Sequence, residues 1–263
     1  MINLIKTIIK SNRIFLVFGE KISTHLGLNF EKEYKIVSYI KKPKIIDIGA
    51  HLGESIKNFK KFTSQYKINS FEPNPELFQI IKKKFKNDKR IIIKNYAISD
   101  IRINYLYIPV LYSFPMRLWA SYKVNFLRNR WENFTSIKFK NIRIKKIKVS
   151  SRKLDEFNFK TNLIKIDTEG SELEVVRSGI KTIKKNLPIL IIEFSHKNYK
   201  KIKFLLKKLN YESYLFYKSE NLLKKINNKD LKKIYSSTTS TNIVFYNHKS
   251  RHFKKKSSIK IND

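Results

Sequence analysis

An aspartate opens a two-glycine turn in this chain, and a glutamate follows it 25 residues later. The turn is Asp47-Ile48-Gly49-Ala50-His51-Leu52-Gly53, and the second acid is Glu72. Residue types at this spacing suit the nucleoside end of a cofactor. Lys44-Ile45-Ile46-Asp47-Ile48 is a short apolar run fit for a buried strand. Gly49 and Gly53 permit a tight turn and close backbone approach to a ligand. Ile56, Phe59 and Phe62 then recur three apart, as on one face of a helix. Ile68-Asn69-Ser70-Phe71 predicts a second strand, and a carboxylate at its end can accept both hydroxyls of a ribose.

The spacing also discriminates between cofactors. A dehydrogenase turn reads G-x-G-x-x-G and faces a pyrophosphate. Here the pattern is D-x-G-x-x-x-G, and the middle glycine is replaced by His51, whose side chain would crowd a pyrophosphate. The G-x-x-x-x-G-K-[ST] phosphate loop does not occur. An acid opening the turn suits a cationic ligand. S-adenosylmethionine is such a ligand, with a sulfonium, an amino group, a ribose and no phosphate.

Three more acids fall at expected strand ends. Asp167 and Glu169 close Leu163-Ile164-Lys165-Ile166, and Glu193 closes Ile189-Leu190-Ile191-Ile192. In an open α/β sheet, ligands bind outside the carboxyl ends of the strands. Asp47, Glu72, Asp167, Glu169 and Glu193 are thus expected along one edge, a concentration in a chain with 21 acids against 57 Lys and Arg.

Strand and helix patterns alternate from Lys44 onward, which predicts an α/β fold with a mostly parallel sheet and helices on both faces. Seven strands are expected, near 44–48, 68–72, 91–93, 163–167, 189–193, 211–217 and 241–246. Asn74 caps a helix with Pro75 at its first position and Phe78, Ile81 and Phe85 as its stripe. Ser171 and Glu174 are spaced as a capping box, with Leu173, Val175 and Val176 facing inward. A basic amphipathic helix is expected over 198–209. Residues 1–34 form a helical appendage whose Ile2, Ile5 and Ile9 make an apolar stripe. The α/β domain is then expected to span 35–248, and a basic tail, 249–263, is expected to be disordered. The segment 101–150 interrupts the alternation with aromatic and basic residues and is read as a lid or acceptor-binding insertion.

Composition bounds the rest. At 263 residues one large core is affordable. The chain has no cysteine, which excludes disulfides and thiolate chemistry and fits a reducing compartment. No apolar run is long enough to span a membrane, and no signal peptide is expected. The net charge of +36 suggests nucleic acid or an anionic membrane at face value. Only three alanines among abundant Lys, Ile and Asn instead indicate AT-rich coding. Against that background the six glycines stand out as backbone choices.

Taken in order, Ile45-Ile46-Asp47-Ile48-Gly49-Ala50-His51-Leu52-Gly53, Phe71-Glu72-Pro73-Asn74-Pro75, Ala97-Ile98-Ser99-Asp100, Ile164-Lys165-Ile166-Asp167-Thr168-Glu169-Gly170-Ser171-Glu172 and Ile191-Ile192-Glu193 resemble the FkbM family of S-adenosylmethionine-dependent methyltransferases. The resemblance covers about 40–200. It implies a class I methyltransferase (Rossmann-like) fold, a seven-stranded sheet with an antiparallel last hairpin. It also implies transfer of methyl groups to oxygen, often on sugars of glycans, lipid-linked saccharides or natural products. On that resemblance Asp47, Gly49, Ala50 and Gly53 hold the methionine end, Glu72 and Asn74 the ribose, and Ala97 the adenine. Asp167 lies where cofactor and acceptor meet. The chain departs from the family at His51, where a small residue such as Asn is expected.

Candidate bases for such a reaction are Asp167, Glu169, Glu193 and His196. Asp167 and Glu169 are also oxygen ligands suited to a divalent metal, although no metal is assigned. The expected acceptor is a saccharide or lipid-linked saccharide. The chain is placed in the cytoplasm, with peripheral contact to the inner face of an anionic membrane through 1–34. Two alternatives remain: an RNA methyltransferase, and a non-catalytic membrane-surface protein on the same fold.

Overall fold

The computed structural model describes residues 32–111, 113–135, 137–236, 241–253 and 259–262. The stripe of Ile2, Ile5 and Ile9, and with it most of the expected appendage, lies outside the described residues. Two compact units emerge, one of residues 31–102 and 151–263, the other containing 103–150.

The larger unit is built on one nine-stranded sheet. Its strands are β1 (Lys44–Ile48), β2 (Lys67–Phe71), β3 (Ile91–Lys94), β4 (Leu163–Ile166), β5 (Ile189–Glu193), β6 (Tyr211–Tyr217), β7 (Leu222–Lys225), β8 (Asn242–Asn247) and β9 (Lys260–Asn262). Their spatial order is β9-β7-β6-β8-β5-β4-β1-β2-β3. Strands β3, β2, β1, β4 and β5 run parallel, and β8 inserts antiparallel between β5 and β6. The seven expected strands therefore form a class I methyltransferase sheet. Two short strands extend it beyond β6. Sequence reading missed them because each buries too little to show alternation.

Helices cover both faces, and strand alternation decides which residues go where. Ile45, Ile68, Leu163, Ile189 and Ile191 pack with Ile56 and Phe59 of α1 (Glu54–Phe62) and Ile81 of α2 (Pro75–Lys84). The other face sets Ile46, Ile164, Ile166 and Ile192 against α3 (Glu172–Ser178), α4 (Ile180–Asn186), α5 (Tyr199–Lys207) and α6 (Asn228–Ser236). On α2 the buried stripe is Leu77, Ile81 and Phe85, spaced by four. The expected Phe78 is only half-buried. The 3-10 helix Lys32–Tyr39 packs Ile36 and Val37 into the first core.

The described part of the tail corrects the expectation of disorder. Phe253 bridges to Ile40, and Lys260–Asn262 pairs with β7, because Ile259 and Ile261 find apolar cover against the first core.

The smaller unit has a three-stranded antiparallel sheet of Tyr105–Leu111, Phe114–Pro115 and Arg143–Lys148, with a helix at Val124–Phe134. It has its own core around Leu111, Met116, Leu127 and fully buried Trp131, whose indole N–H donates to the Ile137 carbonyl at 2.8 Å.

Candidate active site

Parallel register brings the acids together. Ile48 lies opposite Phe71 and Ile166, and Ile166 opposite Ile192. The residues one step on, Glu72, Gly49, Asp167 and Glu193, consequently line the carboxyl edge of β2, β1, β4 and β5. One row earlier, Ser70, Asp47 and Lys165 are aligned across β2, β1 and β4. In-register side chains point to one face, and here that face is covered by α1.

Asp47 is 0% exposed. Its Oδ2 accepts hydrogen bonds from Ser55 Oγ of α1 at 2.8 Å and from Ser70 Oγ of β2. Its Oδ1 lies 3.6 Å from Lys165 Nζ. Asp47 is the residue expected at the methionine end of the cofactor. It is enclosed and ties three strands and a helix together beneath the glycine turn.

The turn itself leaves no room for a side chain at Gly49. Its φ is +85°, and a Cβ there would stand 1.7 Å from the carbonyl oxygen of Asp167. The N–H groups of Gly49 and Ala50 both donate to the Phe71 carbonyl at 3.1 Å, which pulls the turn over the end of β2. His51 follows with φ +47°, a left-handed conformation that Asn tolerates better than most residues. That backbone explains why Asn is the residue to expect here. The histidine's backbone N–H is aimed at Glu72.

Glu72 is buried, and both carboxylate oxygens are held by backbone. His51 N–H donates to Oε2 at 2.9 Å and Asn74 N–H to Oε1 at 2.8 Å. Burial pushes the carboxyl up to about 7, against the pull of the Asn74 and His51 N–H groups and of His51 and Lys165. Each oxygen keeps a second lone pair for a diol. Asn74 caps α2 through Oδ1, which accepts the Glu76 N–H at 3.0 Å. Its Nδ2 is buried with no hydrogen-bond partner among the described residues. A buried donor without an acceptor is costly, and a polar ligand beside Glu72 would relieve it. Glu72 and Asn74 thus fit a ribose. Ala97 is buried in a two-residue strand paired with Ser151.

The second group of acids surrounds the end of β4. The Asp167 side chain is 30% exposed, and its Oδ2 lies 3.3 Å from Lys165 Nζ. A side-chain hydrogen bond joins Asp167 to Glu193. Burial holds the Glu193 carboxyl well above its usual range, reinforced by the charges of Asp167, Glu169 and Glu172. Glu169 stands in a left-handed turn at φ +52°.

The expected capping box does not form, since the Ser171 side chain makes no cap bond and Ser171 Oγ donates to the Thr168 carbonyl instead. Buried Glu172 does the work from inside. Its Oε1 accepts the Gly170 N–H at 2.8 Å and the Thr168 hydroxyl at 3.3 Å, while Asn198 Nδ2 donates to Oε2 at 3.1 Å. His196 is exposed, its ring edge-on to Phe194 and Tyr235.

Sequence reasoning missed Ser55, Ser70, Lys165, Glu172 and Asn198. A lone lysine inside Leu-Ile-Lys-Ile was a readable signal for Lys165, whereas Asn198 carried none. Among the described residues, no group of three or more His, Cys, Asp or Glu side chains is arranged to hold a metal ion. Nor is any described helix long and apolar enough to cross a membrane. Away from the acids, Lys60, Lys84, Lys89 and Arg90 line a groove of about 560 Å³. Asp88 engages Lys60 at 3.0 Å and Arg90 at 2.8 Å, which offsets part of that groove's charge.

The FkbM methyltransferase domain model matches residues 47–216, a span that takes in every acid described above. The chain belongs to the FkbM methyltransferase family. The family's cofactor is S-adenosylmethionine. Similar solved structures include an FkbM methyltransferase from Methylobacillus flagellatus KT, 16% identical with a TM-score of 0.48, over 78% of this chain and 43% of that one. This chain thus spans under half of that protein's length. Another is a TehB-like methyltransferase from Corynebacterium glutamicum ATCC 13032 Kitasato, 12% identical with a TM-score of 0.45, over 86% of this chain and 93% of that one. A third is a putative RNA methyltransferase from Pyrococcus horikoshii, 6% identical with a TM-score of 0.39, over 81% and 78%. No curated protein matches the chain significantly.

Proposed function

We propose that this FkbM protein transfers a methyl group from S-adenosylmethionine to a hydroxyl oxygen of a saccharide, free or lipid-linked. The observation that carries the reading is the pairing of Asp167 with Glu193 on adjacent strands at the carboxyl edge, with β1 and its glycine turn between Asp167 and Glu72. A sugar hydroxyl is a weak nucleophile at neutral pH. It needs a proton acceptor within hydrogen-bond reach, and such a group supplies about 10²–10⁴ in rate.

The bound cofactor supplies an electrophilic methyl carried on a sulfonium. The protein supplies placement and a proton sink. Glu72 and Asn74 hold the ribose, which fixes the nucleoside against the Gly49 turn. Asp167 keeps one oxygen toward Lys165 and presents partly exposed carboxylate surface to the acceptor. Asp167 and Glu193 would take up the hydroxyl proton that the acceptor oxygen releases on methylation. Glu169 on the same turn offers a further acceptor for sugar hydroxyls. The choice of a saccharide rests on family membership and on this density of carboxylates, which accept hydrogen bonds from polyols.

The test is incubation of the full chain with S-adenosylmethionine and a panel of saccharides and lipid-linked saccharides, read by mass spectrometry. A gain of one methylene on oxygen, lost in Asp167→Asn, is the expected result. Methylation of RNA or of amines with no product on any hydroxyl would overturn the reading.

A further inference from the structure

Lys165 is 2% exposed in the middle of the sheet, on the strand between β1 and β5. Long charged side chains are rarely buried so fully unless they are paired. Here every direction of the ammonium is engaged. Nζ donates to the Gly49 carbonyl at 2.8 Å, lies 3.3 Å from Asp167 Oδ2 and lies 3.6 Å from Asp47 Oδ1. It thereby joins the carbonyl of the cofactor turn, the acid beneath that turn and the acid at the acceptor edge. Its charge also reaches Glu72.

A cation at this place is unexpected if the ligand is itself cationic. Lys165 would repel a sulfonium if it stood alone. Asp47 and Asp167 outnumber it, and Glu72 adds a third acid just after β2. The acids in turn would repel one another without a cation among them. A purely mechanical tie could be made with a neutral donor, but only a charge holds several carboxylates ionised at once.

We propose that Lys165 is a positioning residue for methyl-donor binding, its buried ammonium fastening the Gly49 carbonyl and the carboxylates of Asp47 and Asp167 into one charged unit. The proposal rests on the cofactor site and not on the identity of the acceptor. The groups that face this unit are Asp47 of β1, Glu72 after β2, Asp167 and Glu169 after β4, Glu193 of β5, Glu172 of α3 and His51 of the turn. Removing the ammonium leaves the carboxylates to compete for protons, so donor affinity should become sensitive to pH in a higher range.

Calorimetric titration of the full chain with S-adenosylmethionine, repeated from acid to alkaline pH, tests this without any acceptor. In Lys165→Met the midpoint below which affinity is lost should rise by about one to three pH units relative to the wild type, the shift caused by loss of an opposite charge at this distance. Lys165→Arg keeps the charge and should keep the midpoint near the wild-type value. The chain has no cysteine, so Lys165→Cys can be alkylated with 2-bromoethylamine in denaturant and refolded, which rebuilds an ammonium of the same reach. That product should recover the midpoint, and it serves where Lys165→Met does not fold. Uniformly weakened binding with an unmoved midpoint, or an alkylated Lys165→Cys that still shows a raised midpoint, would overturn the proposal in favour of a merely structural lysine. Failure to methylate any saccharide would leave it standing, because donor binding is measured alone.

Discussion

Replacement of Glu72 by Gln should make the protein more stable at alkaline pH and worse at binding its cofactor. The carboxyl is pushed from 4.5 to about 7 by burial. Between these values the folded state holds a proton that the unfolded state has already released. Stability changes with pH in proportion to protons bound in the unfolded state minus those bound in the folded state, which is negative here, so stability falls as pH rises through this window. About 2.5 pH units at ~1.4 kcal/mol each gives a loss of about 3 kcal/mol, complete above pH ~7 and absent below pH ~4.5. Glu72→Gln carries no charge and removes that slope. The amide has one acceptor oxygen where the carboxylate has two, so either the His51 or the Asn74 N–H loses its partner, at about 1–3 kcal/mol. Net stabilisation above pH ~8 is therefore small, on the order of 1 kcal/mol. The difference in slope is the robust quantity. Urea unfolding of both proteins at intervals from pH 4.5 to 8.5 measures it, because all other titrations cancel in the difference. Parallel curves would refute the reasoning, since they would mean that Glu72 ionises equally in both states. Donor affinity should move the opposite way, with wild-type binding improving as pH rises through about 7 and Glu72→Gln binding weakly throughout.

Other perturbations separate the parts of the site. Gly49→Ala drives a Cβ into the Asp167 carbonyl in a left-handed turn; a loss of at least ~3 kcal/mol is expected in thermal melts, and unchanged stability would show that the turn is not as tight as drawn. Asp167→Asn and Glu193→Gln should each lower kcat by about 10²–10⁴ while donor affinity changes only a few-fold, and full activity of both would remove the pair as proton acceptor. Because the Glu193 carboxyl sits well above its usual range, wild-type activity should rise with pH above the ordinary carboxylate range, and the Glu193→Gln rate profile should lack that limb. Asn198→Leu leaves Glu172 Oε2 buried without its donor; a destabilisation of about 1–3 kcal/mol with slowed transfer is expected from urea melts and single-turnover rates.

Much of this molecule is legible along the chain. The apolar runs at 44–48, 163–166 and 189–193, the Asn74-Pro75 cap and the Gly49 turn each announce themselves locally. They do so because strand burial, helix capping and left-handed backbone select residue types over a few positions. The acids at strand ends follow from the same reading, since parallel strands must deliver their carboxyl ends to one edge. His196 reads as a candidate by position but ends exposed against Phe194 and Tyr235, because sequence distance from a strand end does not say which way a loop turns. The Ser171–Glu174 box fails for a related reason. Buried Glu172 binds the Gly170 N–H first, and a buried carboxylate cannot leave its donors unanswered.

What the sequence by itself determined is the list of parts and their order: a seven-strand, mostly parallel body, a glycine turn after β1, and acids at 47, 72, 167, 169 and 193. Tertiary structure alone decided their partners. Positions 47, 70 and 165 are far apart in the chain, and nothing local relates them. Register across β1, β2 and β4 sets Asp47 between Ser70 and Lys165 on the face under α1. A shift of one residue in any of these strands would turn its side chain to the opposite face. The acid expected at the methionine end of the cofactor is for that reason a buried tie, and the lysine that looked like one charge among many sits at the centre of the site.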